Sequence, residues 1–247
     1  MGAIRKKELT IGIIFALVFI AILVIMYQPI YGEGRNFLAY ADDLFNSLAK
    51  GSANFIPKIK PSVEQFKGKT LDIVIDLKKP TDTPQDLQTR IALNTKLYTM
   101  AGAQVEDKGD GKIRIIGDLG QILSGALEDA DAMYWNNGMF IKEKYGFEDE
   151  KKMFRQWHNS LSVINKKLTL EKNVEMAKIV NTVLIKAIEP AYNFYGIKPE
   201  SVKTKYGLLT GTLVFYIFYT IWWGIAILYL MEGLGLSTKK PKVKKEV

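Results

Sequence analysis

The chain has 247 residues, a formal net charge of +8 at pH 7 and no cysteine, which excludes disulfides, thiolate nucleophiles and cysteine-based metal or cluster sites. Its single histidine, His158, leaves no zinc site of the usual imidazole-rich kind. The hydrophobic share of 48% is ordinary for a globular protein, but the apolar residues concentrate near the two ends.

In chain order, residues 10–27 come first, "TIGIIFALVFIAILVIMY", without a charge. At about 1.5 Å of rise per residue, a helix of roughly 20 residues crosses a ~30 Å hydrocarbon core, so this run predicts a transmembrane helix. Arg5, Lys6 and Lys7 would also suit the start of a signal peptide. However, the apolar run is long for one, and "MYQPIYGEG" puts bulky residues where a peptidase wants small ones, so an uncleaved anchor is expected. Next, "GRNFLAYADDLFNSLAKGSANFI" spaces Phe37, Leu38, Ala41, Leu44, Phe45 and Leu48 as an amphipathic helix, with Gly51 as its stop. "PKIKPSVEQFKG" carries two prolines and reads as a linker.

From Lys69 the apolar period shortens to two. Leu71, Ile73, Ile75 and Leu77 alternate with Asp72, Val74 and Asp76, which predicts a half-buried strand. Thr83, Pro84 and Asp86 then suit the cap and first turn of a helix reaching Met100, with Leu87, Ile91, Leu93 and Leu97 inward and Gly102 closing it. "AQVEDKGDGKIRIIGD" predicts two short strands around a glycine-rich turn, completing a β-α-β-β unit.

Beyond Leu119 three helices are expected. The first carries a weak point at residues 136–138, and the second begins at Glu148, Asp149 and Glu150. The third has a stripe of Val174, Ile179, Val183, Ala187 and Ala191, and short joints between the three favour a bundle. Finally residues 208–231, "LLTGTLVFYIFYTIWWGIAILYLM", again without charge, predict a second transmembrane helix. A lysine-rich tail follows it and is expected to be disordered.

Charge sets the expected orientation. Three basic residues and Glu8 precede the first helix. Five lysines, with Glu232 and Glu246, follow the second. Short basic flanks stay cytoplasmic while a long intervening domain is translocated, so both termini are expected inside the plasma (inner) membrane, with residues 28–207 outside. Lys198, Lys203 and Lys205 crowd the outer end of the second helix and run against this scheme. The middle segment holds 26 basic and 23 acidic residues. It has no concentrated basic stripe, so nucleic acid is not an expected partner.

Candidate chemistry is sparse. Asp72 and Asp76 share a strand face about 13 Å apart. That is wider than the ~5–9.5 Å between working carboxyls in glycosidases, so both are expected in solvent. "EDKGDGK" lacks the ligand spacing of an EF-hand loop and reads as a hairpin turn. Glu128, Asp129 and Asp131 form an acidic group on a helix; Glu128 and Asp131, with nearby Trp135, make a candidate exposed patch for a cation or basic partner. Met133, Tyr134, Trp135, Met139 and Phe140 are expected in core or inter-helix packing rather than in a partner-binding patch. His158 has no Gly-x-Ser-x-Gly elbow to serve, and no Walker A or dinucleotide-binding glycine pattern occurs.

In the apolar helices, Gly12 with Ala16 and Gly207 with Gly211 are small-x-x-x-small steps that allow close helix approach. The two steps are expected at opposite membrane surfaces, so each needs a separate contact. Tyr216, Tyr219 and Trp223 form a stripe expected to pack on a neighbouring helix.

The expected fold is a membrane protein of α+β class. Two transmembrane helices flank an extracytoplasmic domain made of a small β-α-β-β sheet unit and a helical bundle. The expected segments are a cytoplasmic N-terminus (1–9), helix 1 (10–27), a juxtamembrane helix and linker (28–67), the sheet unit (68–118), the bundle (119–207), helix 2 (208–231) and a basic cytoplasmic tail (232–247). The expected function is a non-catalytic accessory, scaffold or assembly subunit of a membrane or cell-envelope complex. It has no catalytic, cofactor or metal residues, and its partners are the lipid bilayer and other membrane subunits or a second copy. One alternative is an extracytoplasmic ligand-binding or sensor module relaying to a membrane partner. Another is an envelope hydrolase using acidic residues such as Asp72 or Glu128.

Overall fold

A computed structural model describes residues 4–236; the lysine-rich tail lies outside the described residues. It is a mostly helical α+β chain with one three-stranded sheet and two helices long and apolar enough to cross a membrane. Its contacts divide into two compact units, one containing residues up to Leu48 and from Glu200 onward, the other Ala49–Pro199.

In the first unit, α1 (Lys6–Met26) and α10 (Val202–Gly233) are the two apolar helices. They pack antiparallel, with the Arg5 N–H donating to the Gly233 carbonyl. Between them α2 (Phe37–Ser52) begins after a loop that Arg35 ties down, donating to the Gly32 carbonyl and pairing with Asp43. Asn36 caps its first turn by accepting from Ala39 N–H. Its buried side is Leu44 and Leu48, whereas Leu38 and Phe45 are exposed.

The second unit is built on β1 (Thr70–Asp76), β2 (Gln104–Gly109) and β3 (Lys112–Asp118), in the order β1-β3-β2 and antiparallel throughout. The alternation along β1 is realised: Leu71, Ile73 and Ile75 are buried, as are Ile113 and Ile115 opposite them. The crossover helix α4 (Pro84–Met100) starts with a capping box, in which Thr83 accepts from Asp86 N–H while the Asp86 carboxylate accepts from Thr83 N–H. The segment read as a linker forms a short helix, α3 (Ile56–Glu64). Pro57 falls in its first turn, where no N–H is required, and Pro61 further in costs a single ladder bond.

The bundle consists of α5 (Leu119–Tyr134), α6 (Gly138–Tyr145), α7 (Glu150–Leu170) and α8 (Val174–Val183), then a π-helical turn, Leu184–Ile188, and α9 (Glu189–Asn193). The predicted weak point at residues 136–138 is a true break between α5 and α6, where Asn136 adopts a left-handed conformation with φ 63°. Asp118 caps α5 by accepting from Gln121 N–H, and its other oxygen accepts from Gly68 N–H. A Cβ at Gly120 would fall on the backbone of Phe66 and Lys67, so α3's exit and α5's start meet main chain to main chain. In the last helical run Ile179, Val183, Ala187 and Ala191 are buried, but Val174 is 72% exposed because it opens the first turn of α8. The wide turn at residues 184–188 absorbs Pro190, which has no N–H for the next ladder bond.

One half-buried pair couples the fold to acid pH. Arg90 grips Asp82 with two bonds of 2.5 and 2.7 Å and also donates to the Leu77 carbonyl. These Arg90 bonds, aided by Lys79 N–H, hold the Asp82 carboxyl down at about 2. A depressed carboxylate stabilises the fold above its ordinary value near 3.9, and that contribution is lost as pH falls from about 4 to about 2. An acid titration followed by circular dichroism should therefore show a flatter loss of stability across this window in Asp82→Asn than in wild type. Equal slopes would show that the pair is not coupled to folding.

Candidate functional site

The sheet carboxylates that first draw attention are engaged on the surface. Asp72 receives Arg114 through two bonds of 2.8 and 2.6 Å. These bonds hold its carboxyl below the usual carboxylate range. Asp76 accepts from Lys78 N–H at 2.9 Å as strand β1 ends. Both side chains are exposed, as the alternation predicts, and each faces a fixed neighbour.

The acidic group on α5 divides. Glu128 and Asp131 are exposed, but Asp129, between them, is completely buried. The expectation of a three-carboxylate solvated group therefore fails at Asp129. One Asp129 oxygen accepts from Lys144 Nζ at 2.7 Å. The other accepts from Tyr145 OH at 2.5 Å and from Trp157 Nε1 at 2.7 Å. Three donors from α6 and α7 thus converge on one carboxylate of α5, which offsets the cost of burying its charge. Lys144 also bonds Glu128 at 2.7 Å. Burial works to lower the Lys144 pKa, but the two carboxylates outweigh it and the net shift is upward. Burial, reinforced by Asp129, pushes the Tyr145 hydroxyl well above its usual range. The ammonium and phenol therefore act as fixed donors at neutral pH.

Beside this cluster lies a cavity of about 710 Å³ in the second unit, lined by Lys60 and Glu64 of α3, Met100 at the end of α4, and Glu128, Asp131 and Lys144. Trp135, the third member of the expected patch, follows the last residue of α5, is 54% exposed and is not part of the lining. Of the neighbouring aromatic and methionine residues, Met133 and Tyr134 are in the core, whereas Met139 is exposed.

Sequence reasoning passed over Lys50. This lysine is 1% exposed, and its ammonium donates to Asn136 Oδ1 at 2.9 Å, to the Phe194 carbonyl at 2.9 Å and to the Ile197 carbonyl at 2.6 Å. Tyr134 supports it from one side, with the ring 5.4 Å from Nζ and the hydroxyl donating to the Lys50 carbonyl. All of the acceptors are neutral, and burial lowers its pKa. Three acceptors match the three N–H bonds of an ammonium. The Asn136 amide also accepts from Gly196 N–H and donates to the Ile197 carbonyl, so it uses its left-handed position to cap the end of the bundle.

His158 is partly exposed, with Nε2 3.6 Å from Glu189. Among the described residues no group of three or more His, Cys, Asp or Glu side chains is arranged to hold a metal ion.

In the first unit the helix pair is stitched by aromatic rings. Phe19 stacks on Tyr219 at 4.1 Å and on Trp223 at 4.5 Å, and Phe15 stacks on Trp222 at 4.9 Å. The polar tips are satisfied on main chain: Trp222 Nε1 donates to the Phe15 carbonyl at 3.0 Å and Tyr219 OH to the Phe19 carbonyl at 3.2 Å. Gly12 is buried, and a Cβ there would lie 2.7 Å from the Leu230 nitrogen; Ala16 is half-buried on the same helix. Gly233, which belongs to neither small-residue step, matches it from the facing helix at the same end of the pair, since a Cβ would lie 2.5 Å from Leu9 backbone. By contrast Gly207 and Gly211 have open space where a Cβ would project. Tyr216 departs from the expected stripe: it is 65% exposed, while Tyr219 and Trp223 pack on α1. No protein-family model, curated protein or solved structure matches the chain.

Proposed function

We propose that this chain is a membrane-anchored, non-catalytic accessory, scaffold or assembly subunit of a membrane or cell-envelope complex. Both α1 and α10 would span the plasma (inner) membrane, with the termini cytoplasmic and residues 28–207 outside. The basic residues flanking the apolar runs support that orientation. The observation that carries the partner reading is the uncovered face of α10. Tyr219, Trp222 and Trp223 are used up in pairing with α1, whose Gly12 lies against Leu230, whereas Gly207, Gly211 and Tyr216 remain open. Small residues on a lipid-exposed face permit a further helix to approach closely. The acidic residues speak for a non-catalytic role, because Asp72 and Asp129 are both occupied by fixed cationic or neutral donors.

Gentle detergent extraction followed by light scattering and affinity capture of the intact chain tests this reading. Capture should recover a defined membrane partner or a second copy, and Gly211→Ile should reduce that recovery several-fold. A monodisperse monomer without any co-purifying membrane protein would overturn it. Orientation has its own assay, since the chain has no cysteine of its own. Lys172→Cys, in the exposed turn after α7, should react with a membrane-impermeant thiol reagent on intact cells; reaction only after permeabilisation would reverse the topology.

A second reading, a ligand-binding or sensor module relaying to a membrane partner, draws on the 710 Å³ cavity beside Lys144. It differs in requiring that a small molecule alter the captured partner set.

A further inference from the structure

The basic residues of the second unit look evenly scattered in the sequence, yet four of them meet at one groove. Along α4, Asp86, Thr89, Arg90 and Leu93 fall at i, i+3, i+4 and i+7; along α7, Lys152, Arg155, Gln156 and Asn159 do the same. These two stripes face one another across a hollow of about 250 Å³, and Lys79, from the chain between β1 and α4, closes one end. The lining holds four basic side chains against the single carboxylate of Asp86.

The cations differ in how free they are. Arg90 is held in place by Asp82 and the Leu77 carbonyl, which occupy three hydrogen bonds out of the five its guanidinium can donate. Lys79, Lys152 and Arg155 make no ion pair among the described residues; Arg155 instead lies with its guanidinium carbon 5.8 Å from the centre of the Tyr192 ring. Three exposed cations without a direct ion pair thus surround one oriented, partly neutralised guanidinium, with Asp82 attracting Lys79 and Asp86 attracting Lys152 at longer range. Like charges lining one hollow repel each other, and an anion among them relieves that repulsion.

The floor is polar as well. Gln156 is 6% exposed and bonds Asn94, and the Asn94 Oδ1 atom is buried without a partner. An apolar seam would have packed α4 on α7 at lower desolvation cost. A second hollow of about 180 Å³ shares Lys79, Arg90 and Asn159, extending the groove past the end of β1.

We propose that the groove between α4 and α7 binds a phosphoryl group, with Lys79, Arg90, Lys152 and Arg155 as its cationic contacts. Cations arriving from two helices and a loop suit a tetrahedral multi-oxygen anion better than a planar carboxylate, which one Arg fork satisfies from a single side. A volume of about 250 Å³ is small beside the ~300–1,000 Å³ of drug-sized sites, so it admits a phosphate with a short substituent and not a large ligand. The same chemistry is presented by a small phosphorylated solute and by a phospholipid headgroup. This inference does not depend on the anchored-subunit reading.

The test uses the full chain in nanodiscs of zwitterionic lipid, titrated with pyrophosphate by calorimetry at constant ionic strength. Saturable one-to-one binding is expected, with at least a tenfold loss of affinity in Lys152→Gln/Arg155→Gln. Both residues are exposed and unpaired by carboxylates, so the variant should keep the wild-type circular dichroism spectrum, and Lys60→Gln, at the other cavity, should bind as wild type. Repeating the titration in nanodiscs containing phosphatidic acid separates the sources. Unchanged binding assigns the site to a free solute, and suppressed binding that is absent from the double variant assigns it to a headgroup. No saturable signal, or equal affinity in wild type and the folded double variant, would overturn the proposal. Tighter binding of citrate than of pyrophosphate would overturn it too.

Discussion

Replacing Asp129 with asparagine is expected to lower the unfolding free energy by about 3–5 kcal/mol, the range for breaking a buried ion pair from one side. The variant leaves an ammonium, a phenol and an indole N–H aimed at an amide that supplies one acceptor and two donors of its own. For a unit of this size such a loss lowers the melting temperature by roughly 10 °C. Thermal unfolding of the full chain in detergent, followed by tryptophan fluorescence, checks it, because Trp157 is itself a donor to Asp129. Asp131→Asn is the matched control, exposed and two positions away, and should stay within about 0.5 kcal/mol of wild type. An Asp129→Asn variant within about 1 kcal/mol of wild type would remove the cluster from its role as the junction of α5, α6 and α7.

Lys50→Met is the second large effect. Methionine keeps the apolar stem but removes one hydrogen bond each from the Phe194 and Ile197 carbonyls and the Asn136 amide oxygen, a loss of about 3 kcal/mol for hydrogen bonds to a charged donor. Hydrogen exchange should show the protection of Gly196 N–H falling, since that group shares the Asn136 acceptor. The pH dependence carries a definite sign. Burial sets the folded-state pKa below 10.5, so in the window beneath 10.5 the unfolded chain binds more protons, and stability rises with pH there. The gap between wild type and Lys50→Met should therefore widen on approach to pH 10.5. A gap that narrows would mean that the ammonium is better solvated than its surroundings indicate.

Much of the scaffold could be read from residue periods. The alternation from Leu71 to Leu77 gave strand β1 and its exposed aspartates, and Thr83, Pro84 and Asp86 marked the start of α4, because these are local signals of short range. The buried carboxylate was partly legible. Asp129 lies three residues after Ala126 and four before Met133, both on the apolar arc of α5, whereas Glu128 and Asp131 fall outside that arc. Its donors come from α6 and α7, so no local pattern names them. Lys50 carried no such signal: it sits two residues beyond Leu48, off the stripe of α2, and its three acceptors are 86, 144 and 147 residues away in sequence. The basic groove was invisible for the same reason, as two helical stripes of mixed polarity acquire meaning only when they face each other. The stripe of Tyr216, Tyr219 and Trp223 failed at Tyr216, which is exposed, because the rings of α1 stack on Trp222 together with Tyr219 and Trp223.

Strand β2 has a further consequence. It pairs only with β3, so its second row of main-chain groups is open along the rim of the sheet. Such a rim invites strands from other molecules to add on and polymerise. Here every residue except half-buried Val105 is exposed, and Glu106, Asp107 and Lys108 succeed one another along it. The register slips between Asp107 and Gly109, bending the strand away from a straight template. An incoming strand would have to dehydrate three consecutive charges and match a curved edge. This edge of the sheet is therefore guarded against amyloid-like growth, and chains crowded together on a surface can touch there without fusing their sheets.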